Sequence, residues 1–332
     1  MSRLAIVNGK LIDTVQGTVE TRNFFLSNGV VVGLGYVPDE KEEEQEVVDL
    51  KGAHAFPYAC NFGHNLLETS NLSLEELRQL GMTSLVFWPT ESQLLEDLEA
   101  FNTVVSSYRE YPLPVYGLGA LTVDGHALTD LVGFVRAGAK GFYQEASQLD
   151  LDVFDDALSL LAALEKPLFL DLSNVMDAEE RVLTTVVEQM KLYPNVHLHL
   201  MSIRAPGSIQ ILRDADTHNL KLTAGAVITD LVQMSEADKG VFLTAIDASI
   251  ITVLTHNEAV SMATIIDMAV TDLGLDLVTL ARLIGTQPLR LLGQEIGSFG
   301  IQSRPCFLAL TMRGEKQPDS VICKIVVDGY LI

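Results

Sequence analysis

Metal-assisted or nucleophilic chemistry in this 332-residue chain would have to draw on seven histidines, three cysteines and a large surplus of acids. The histidines are His54, His64, His126, His197, His199, His218 and His256. A zinc site needs three or four nitrogen, sulfur or carboxylate ligands that converge. His199 sits in an apolar run and reads either as a buried, hydrogen-bonded histidine or as a pocket residue. His256 follows another apolar run and reads as a solvent-facing loop residue. Glu145, Asp171 and Asp230 could offer oxygen ligands to a hard cation, although scattered acids in an acidic chain are usually only solvated. Arg204 and Arg213 suit anion binding, with structural ion pairing as the default reading. Cys60, Cys306 and Cys323 have no histidine–acid partners in sequence, so nucleophilic catalysis has weak support.

The elements that must position these residues repeat along the middle of the chain. Short apolar runs at 55–62, 83–88, 115–120, 139–143, 167–172, 196–201, 221–227 and 249–254 read as strands. Helical segments alternate with them, such as 153–164 and 73–80, where Ser73-Leu-Glu-Glu reads as a capping box. Eight such alternations predict an α/β fold, a parallel (β/α)8 TIM-like barrel. No G-x-G-x-x-G opens a helix, which argues against a doubly wound nucleotide fold. The two ends look different. Asn8-Gly9, Asn28-Gly29 and Asp328-Gly329 lie between apolar runs and read as hairpin signals. They predict one small β-sandwich domain built from both termini: residues 1–56 and 297–332, around a barrel over 57–296.

Composition narrows the partners. The net charge is −22, from 44 acidic and 22 basic residues. Such a chain repels phosphate backbones and anionic lipid, so no nucleic-acid or membrane partner is expected. The densest acidic run, Asp39 to Glu46, reads as a solvated loop. The cysteines are too few and scattered for a disulfide framework or a zinc ribbon. With no apolar run of signal or membrane-spanning length, a soluble cytoplasmic protein is expected.

Motif order carries a family resemblance. Val7-Asn-Gly-Lys-Leu-Ile-Asp, Asn28-Gly, Val47-Val-Asp-Leu-Lys-Gly and Pro57 resemble the leader into the first barrel strand of the amidohydrolase superfamily. Gly117-Leu-Gly-Ala-Leu-Thr, Leu128, Ala137-Gly-Ala-Lys-Gly-Phe, Lys221-Leu-Thr-Ala and Gln287-Pro-Leu-Arg-Leu-Leu-Gly resemble dihydroorotases within it. The resemblance implies a histidine pair on strand one, a carboxylate or modified lysine on strand four, histidines on strands five and six, and an aspartate on strand eight. Those ligands would hold metal, which lowers the pKa of bound water from about 15.7 to about 7 and so supplies hydroxide.

Position by position, the implied ligands are missing. Strand one offers Asn61, Gly63 and Asn65, with His64 one residue out of step. Strand four offers Glu145 but no lysine where a carbamate would form; Lys140 precedes that point and reads as solvated. Asp171 stands for the strand-five histidine, and Ser202 for the strand-six ligand, with His199 retained nearby. Asp230 lies in the stretch that replaces the Thr-Pro-His-His segment, and Val253 takes the place of the strand-eight aspartate. The resemblance therefore implies a pseudoenzyme with no catalytic residues, no metal and no cofactor. By the same resemblance it is a structural partner of aspartate carbamoyltransferase in pyrimidine biosynthesis, in a homo- or hetero-oligomer. Two other readings stand beside it: an amidohydrolase of altered chemistry acting on a cyclic amide, and a small-molecule-binding module with an emptied barrel site.

Overall fold

The computed structural model describes residues 3–35, 45–60, 62, 65, 67, 73–90, 93–256, 260–294, 299–312, 321–327 and 329–331. It opens with five strands: Arg3–Asp13 (β1), Thr18–Ser27 (β2), Val30–Leu34 (β3), Gln45–Asp49 (β4) and His54–Pro57 (β5). Asn28 and Gly29, both at positive φ, turn β2 into antiparallel β3, as the Asn-Gly signal predicts. The other Asn-Gly pair makes no hairpin. Asn8 and Gly9 lie inside β1, where the register against β2 slips between Ile6 and Gly9. Asn8, at φ 58°, donates its backbone N–H to Asn23 Oδ1 and its Nδ2 to Asp49 Oδ1, each at 3.0 Å. This is a β-bulge. It divides β1 so that its first half pairs with β4 and its second half with β5.

The middle of the chain lays down parallel strands. Leu85–Phe87 (β6) and Val115–Ala120 (β7) come first, then a small hairpin of Thr122–Val123 (β8) and Ala127–Leu128 (β9). Gly141–Glu145 (β10), Leu168–Asp171 (β11), Leu198–Ile203 (β12), Leu222–Val227 (β13) and Ile251–Thr255 (β14) follow. Apart from the hairpin, these seven strands form one curled parallel sheet in chain order. Helices separate them, and ahead of β6 runs Leu74–Leu80, whose N-cap Ser73 and Glu76 form the expected capping box. Leu168, Leu170, Leu198, Leu200, Ala224 and Ala226 are fully buried and alternate with residues facing the sheet's inner side.

The first expected barrel strand, over 55–62, divides instead. Its start is β5, which belongs to the small sheet and pairs antiparallel with Phe307–Thr311 (β15). Tyr58, at φ 61°, then redirects the chain. Ala59 N donates to Thr83 Oγ1 at 2.9 Å, and Cys60 N donates to Ile284 O at 2.8 Å. This non-strand segment thus bridges the entry to β6 and the helical turn Arg282–Thr286 that follows β14. Gly285 is required at the bridge, because a Cβ there would meet Pro57 O at 2.5 Å. A single positive-φ residue is enough to end the ladder.

Val321–Val327 (β16) and Tyr330–Leu331 (β17) extend β15, so both termini share one eight-stranded sheet. That sheet closes over its own core, where Phe24, Phe299 and Phe307 contact each other with centroids 5.8 to 5.9 Å apart. The acidic run lies mostly outside the described residues; Glu46 is an exposed residue of β4. Among the described residues no helix is long and apolar enough to cross a membrane.

Candidate functional site

Alternation along the parallel strands sends Tyr143, Phe169 and His199 to the inner side as register neighbours. The rings of Phe169 and His199 meet edge to face at 5.6 Å. Phe62, from the bridging segment, stacks on Phe169 at 5.4 Å and lies 6.3 Å from His199. Tyr143 stacks against Trp88 at 6.2 Å. Val253 is fully buried on β14, next to Gly225. A Cβ on Gly225 would approach His199 Nε2 to 3.3 Å, so the missing side chain makes room for the imidazole. Among the described residues, rings and hydrocarbon therefore surround the level where strand-borne ligands would converge.

His199 is only 1% exposed. Its Nδ1 lies 3.0 Å from Thr223 Oγ1, and that hydroxyl lies 3.0 Å from His197 Nε2. One hydroxyl proton serves both rings, so Thr223 donates to one and accepts from the other. Burial, with His197 beside it, pushes the His199 pKa down to about 3. A neutral imidazole can ligate metal only in the company of further ligands. Among the described residues, no group of three or more His, Cys, Asp or Glu side chains could hold a metal ion. The described residues do not fit the metal centre that the resemblance implies.

At the C-terminal rim of the strands, Glu145 and Asp171 end β10 and β11 as register partners. Asp171 accepts from Tyr143 Oη and from Ser173 N, both at 2.9 Å. Glu145 Oε2 accepts from Asn174 Nδ2 at 3.2 Å and Gln148 Nε2 at 3.3 Å. Asp230 does not join them, because Arg204 Nε binds its Oδ2 at 2.5 Å. The three acids that could have offered oxygen ligands are thus split by an ion pair, the default reading for Arg204. Arg213 has no ion pair among the described residues; it occupies the last turn of Pro206–Asp216, where the helix dipole favours a cation. The recess bounded by Pro89, Glu96, Thr122, Tyr143, Gln144 and Glu145 is about 60 Å³. Sites that enclose a small ligand run to about 300–1,000 Å³.

The remaining expected positions fall as follows. Asn61, Gly63 and His64 lie outside the described residues. Asn65 is fully buried and turned to backbone: Nδ2 donates to Trp88 O at 2.8 Å, and Oδ1 accepts from Trp88 N at 3.2 Å. Ser202, at φ 59°, sits where β12 slips register against β13. His256 is buried rather than solvent-facing. Lys140 is half-buried, 6.0 Å from the Tyr116 ring centroid, at the opposite end of the strands from Glu145.

Glu179 was not singled out by its sequence. It is 2% exposed and starts the helix Glu179–Met190. Its carboxylate accepts from Arg204 N at 3.0 Å, Ala205 N at 3.0 Å and Ser208 Oγ at 2.6 Å. Ala205 is the N-cap of Pro206–Asp216 and has no capping side chain. Glu179 caps that helix from its neighbour. The missing Ser, Thr, Asp or Asn before Pro206 is the signal that an outside acceptor is needed.

No protein-family model and no curated protein matches this chain. Solved structures do. L-hydantoinase (dihydropyrimidinase) from Arthrobacter aurescens matches over 100% of this chain and 96% of its own, with TM-score 0.79 and 12% identity. Dihydropyrimidinase from Brevibacillus agri NCHU1002 covers 99% and 94%, with TM-score 0.78 and 11% identity. β-Aspartyl dipeptidase from Fervidobacterium islandicum AW-1 covers 99% and 95%, with TM-score 0.70 and 12% identity. The chain therefore has the hydantoinase fold, a curled parallel sheet ringed by helices and a β-rich domain from both termini.

Proposed function

We propose that this chain is a non-catalytic, dihydroorotase-like subunit that acts through its outer surface, in a stable complex with aspartate carbamoyltransferase. The observation that carries the reading is the packing of Phe62 and Phe169 against a neutral His199, with Val253 buried where the resemblance implies an aspartate. Cyclic-amide hydrolysis needs a hydroxide that metal makes available near neutral pH, and hydrocarbon at that level cannot supply it. Fold is then put to use as shape. A specific stable contact should bury about 1,200 Å² or more. At a net charge of −22, the partner surface should be the more basic one.

The test is to purify the chain alone and together with the transcarbamoylase of its own genome, then weigh both by light scattering. A complex of fixed stoichiometry, with altered transcarbamoylase stability or activity, is the expected result. A chain that stays monomeric in both samples and leaves the transcarbamoylase unchanged ends the proposal.

A further inference from the structure

We propose that the N-terminal end of the barrel carries a separate site, a cation-lined cavity that binds a small molecule through a di- or triphosphate group. The cavity is about 550 Å³ and is lined by Lys140, Lys166, Lys221, Arg290 and His197, with Glu165 as its carboxylate. Four cations against one carboxylate give the lining a formal charge of +3 in a chain of net charge −22. That inversion of sign is local.

The fold brings these residues together from distant parts of the sequence. Lys140, Lys166, His197 and Lys221 lead into β10, β11, β12 and β13, which are neighbours in the sheet. Backbone bonds fix that order: Phe142 N to Pro167 O at 3.0 Å, Leu168 N to His197 O at 2.9 Å, and Leu198 N to Lys221 O at 3.0 Å. Adjacent strands lie about 4.8 Å apart, so the lead-ins from β10 to β13 span roughly 14 Å. One phosphate cannot reach along that row, whereas a phosphate chain can touch several of its cations. The volume lies within the range of about 300–1,000 Å³ typical of small-molecule sites.

A simpler account is that each cation only complements a helix C-terminus. Lys140, Lys166 and Lys221 do follow the helices Leu131–Arg136, Leu151–Leu164 and Pro206–Asp216. That accounts for one cation per helix end but not for their sharing one cavity. Nor does it account for the absence of counterions. Among the described residues none of the four forms an ion pair, although acids outnumber bases 44 to 22 in the chain. Cations in such a chain would ordinarily find carboxylates; among the described residues Glu165 is the one carboxylate in this lining. Catalytic sites in such barrels lie at the opposite, C-terminal face, so this cavity is independent of the proposed loss of catalysis.

The test uses the full chain in isothermal titration calorimetry with sodium tripolyphosphate and with adenosine triphosphate, at low and moderate salt. Saturable binding of one ligand per chain is expected, weakening as salt rises. The double variant Lys166→Gln/Lys221→Gln should bind at least tenfold more weakly at an unchanged melting temperature. Glu165→Gln should bind several-fold more tightly, and this variant decides the matter if the double variant fails to fold. Arg78→Gln, on an exposed helix elsewhere, should bind as the parent does. Tighter binding of the nucleotide than of tripolyphosphate would identify a nucleotide ligand; equal binding would identify the phosphate chain alone as the determinant. The proposal is overturned if neither compound binds, if the lysine and glutamate variants bind as the parent does, or if Arg78→Gln loses as much affinity as the double variant.

Discussion

Phe62 lies face to face on Phe169, ring centroids 5.4 Å apart and planes 14° from parallel. The two rings come from opposite sides of the barrel, one from the bridging segment after β5 and one from β11. Both lie beside the His199 ring, at 6.3 and 5.6 Å, and Phe62 is 1% exposed. Removing a fully buried aromatic ring costs about 3–5 kcal/mol, as lost transfer energy plus the cavity left behind. Phe62→Ala should therefore lower unfolding free energy by about that amount in urea titration. A loss below about 1 kcal/mol would mean the ring is not packed inside the barrel.

Elemental analysis offers an independent check on the same interior. The protein purified without added metal should carry no stoichiometric zinc, and chelator should leave its melting temperature unchanged. The reason is chemical: His199 is flanked by Phe62 and Phe169, and Asp230 is held by Arg204. About one zinc per chain, lost to chelator together with an activity, would show a metal site that these contacts do not suggest.

How much of this was legible in the sequence depends on the range of the interaction. The strand–helix alternation, the Ser73 capping box and the Asn28-Gly29 turn are local, and the structure places them where the residues predict. The Asn8-Gly9 pair misled because positive φ serves a bulge as well as a hairpin, and β4 and β5 decide which. The expected first barrel strand failed at Tyr58, whose left-handed φ no residue type announces. Phe62 entering the interior, Glu179 capping a neighbouring helix and four cations sharing one cavity are contacts between distant segments. No window of sequence contains them.

Glu179 gives a second mutational test. Its carboxylate accepts from two backbone N–H groups and one hydroxyl in a buried setting. Truncation leaves those donors without an acceptor, at about 1–3 kcal/mol for each one that water cannot reach. Glu179→Ala should cost about 3 kcal/mol or more, and amide exchange should accelerate at Arg204 and Ala205. Glu179→Gln keeps one acceptor oxygen and should recover part of the loss. Equal stability of parent and Glu179→Ala would remove Glu179 as the cap of Pro206–Asp216.

The buried imidazole predicts a pH dependence whose sign can be worked out. In the folded chain the His199 pKa is about 3, against 6.5 for an ordinary histidine, because burial disfavours the charged ring. Below pH 6.5 the unfolded chain takes up a proton that the native chain refuses. The contribution of His199 is fully present above 6.5 and is lost as pH falls toward 3. Within that window the folding constant should fall by up to about tenfold per pH unit from this one group. His197 is shifted in the same direction by burial and by Lys221, so it adds to the slope. His199→Gln can keep a hydrogen bond to Thr223 but cannot titrate. Urea unfolding of parent and variant between pH 4 and 7 should give a distinctly flatter profile for the variant. Parallel profiles would show that the imidazole is charged or solvated in the native chain, and the packed interior around it would have to be abandoned.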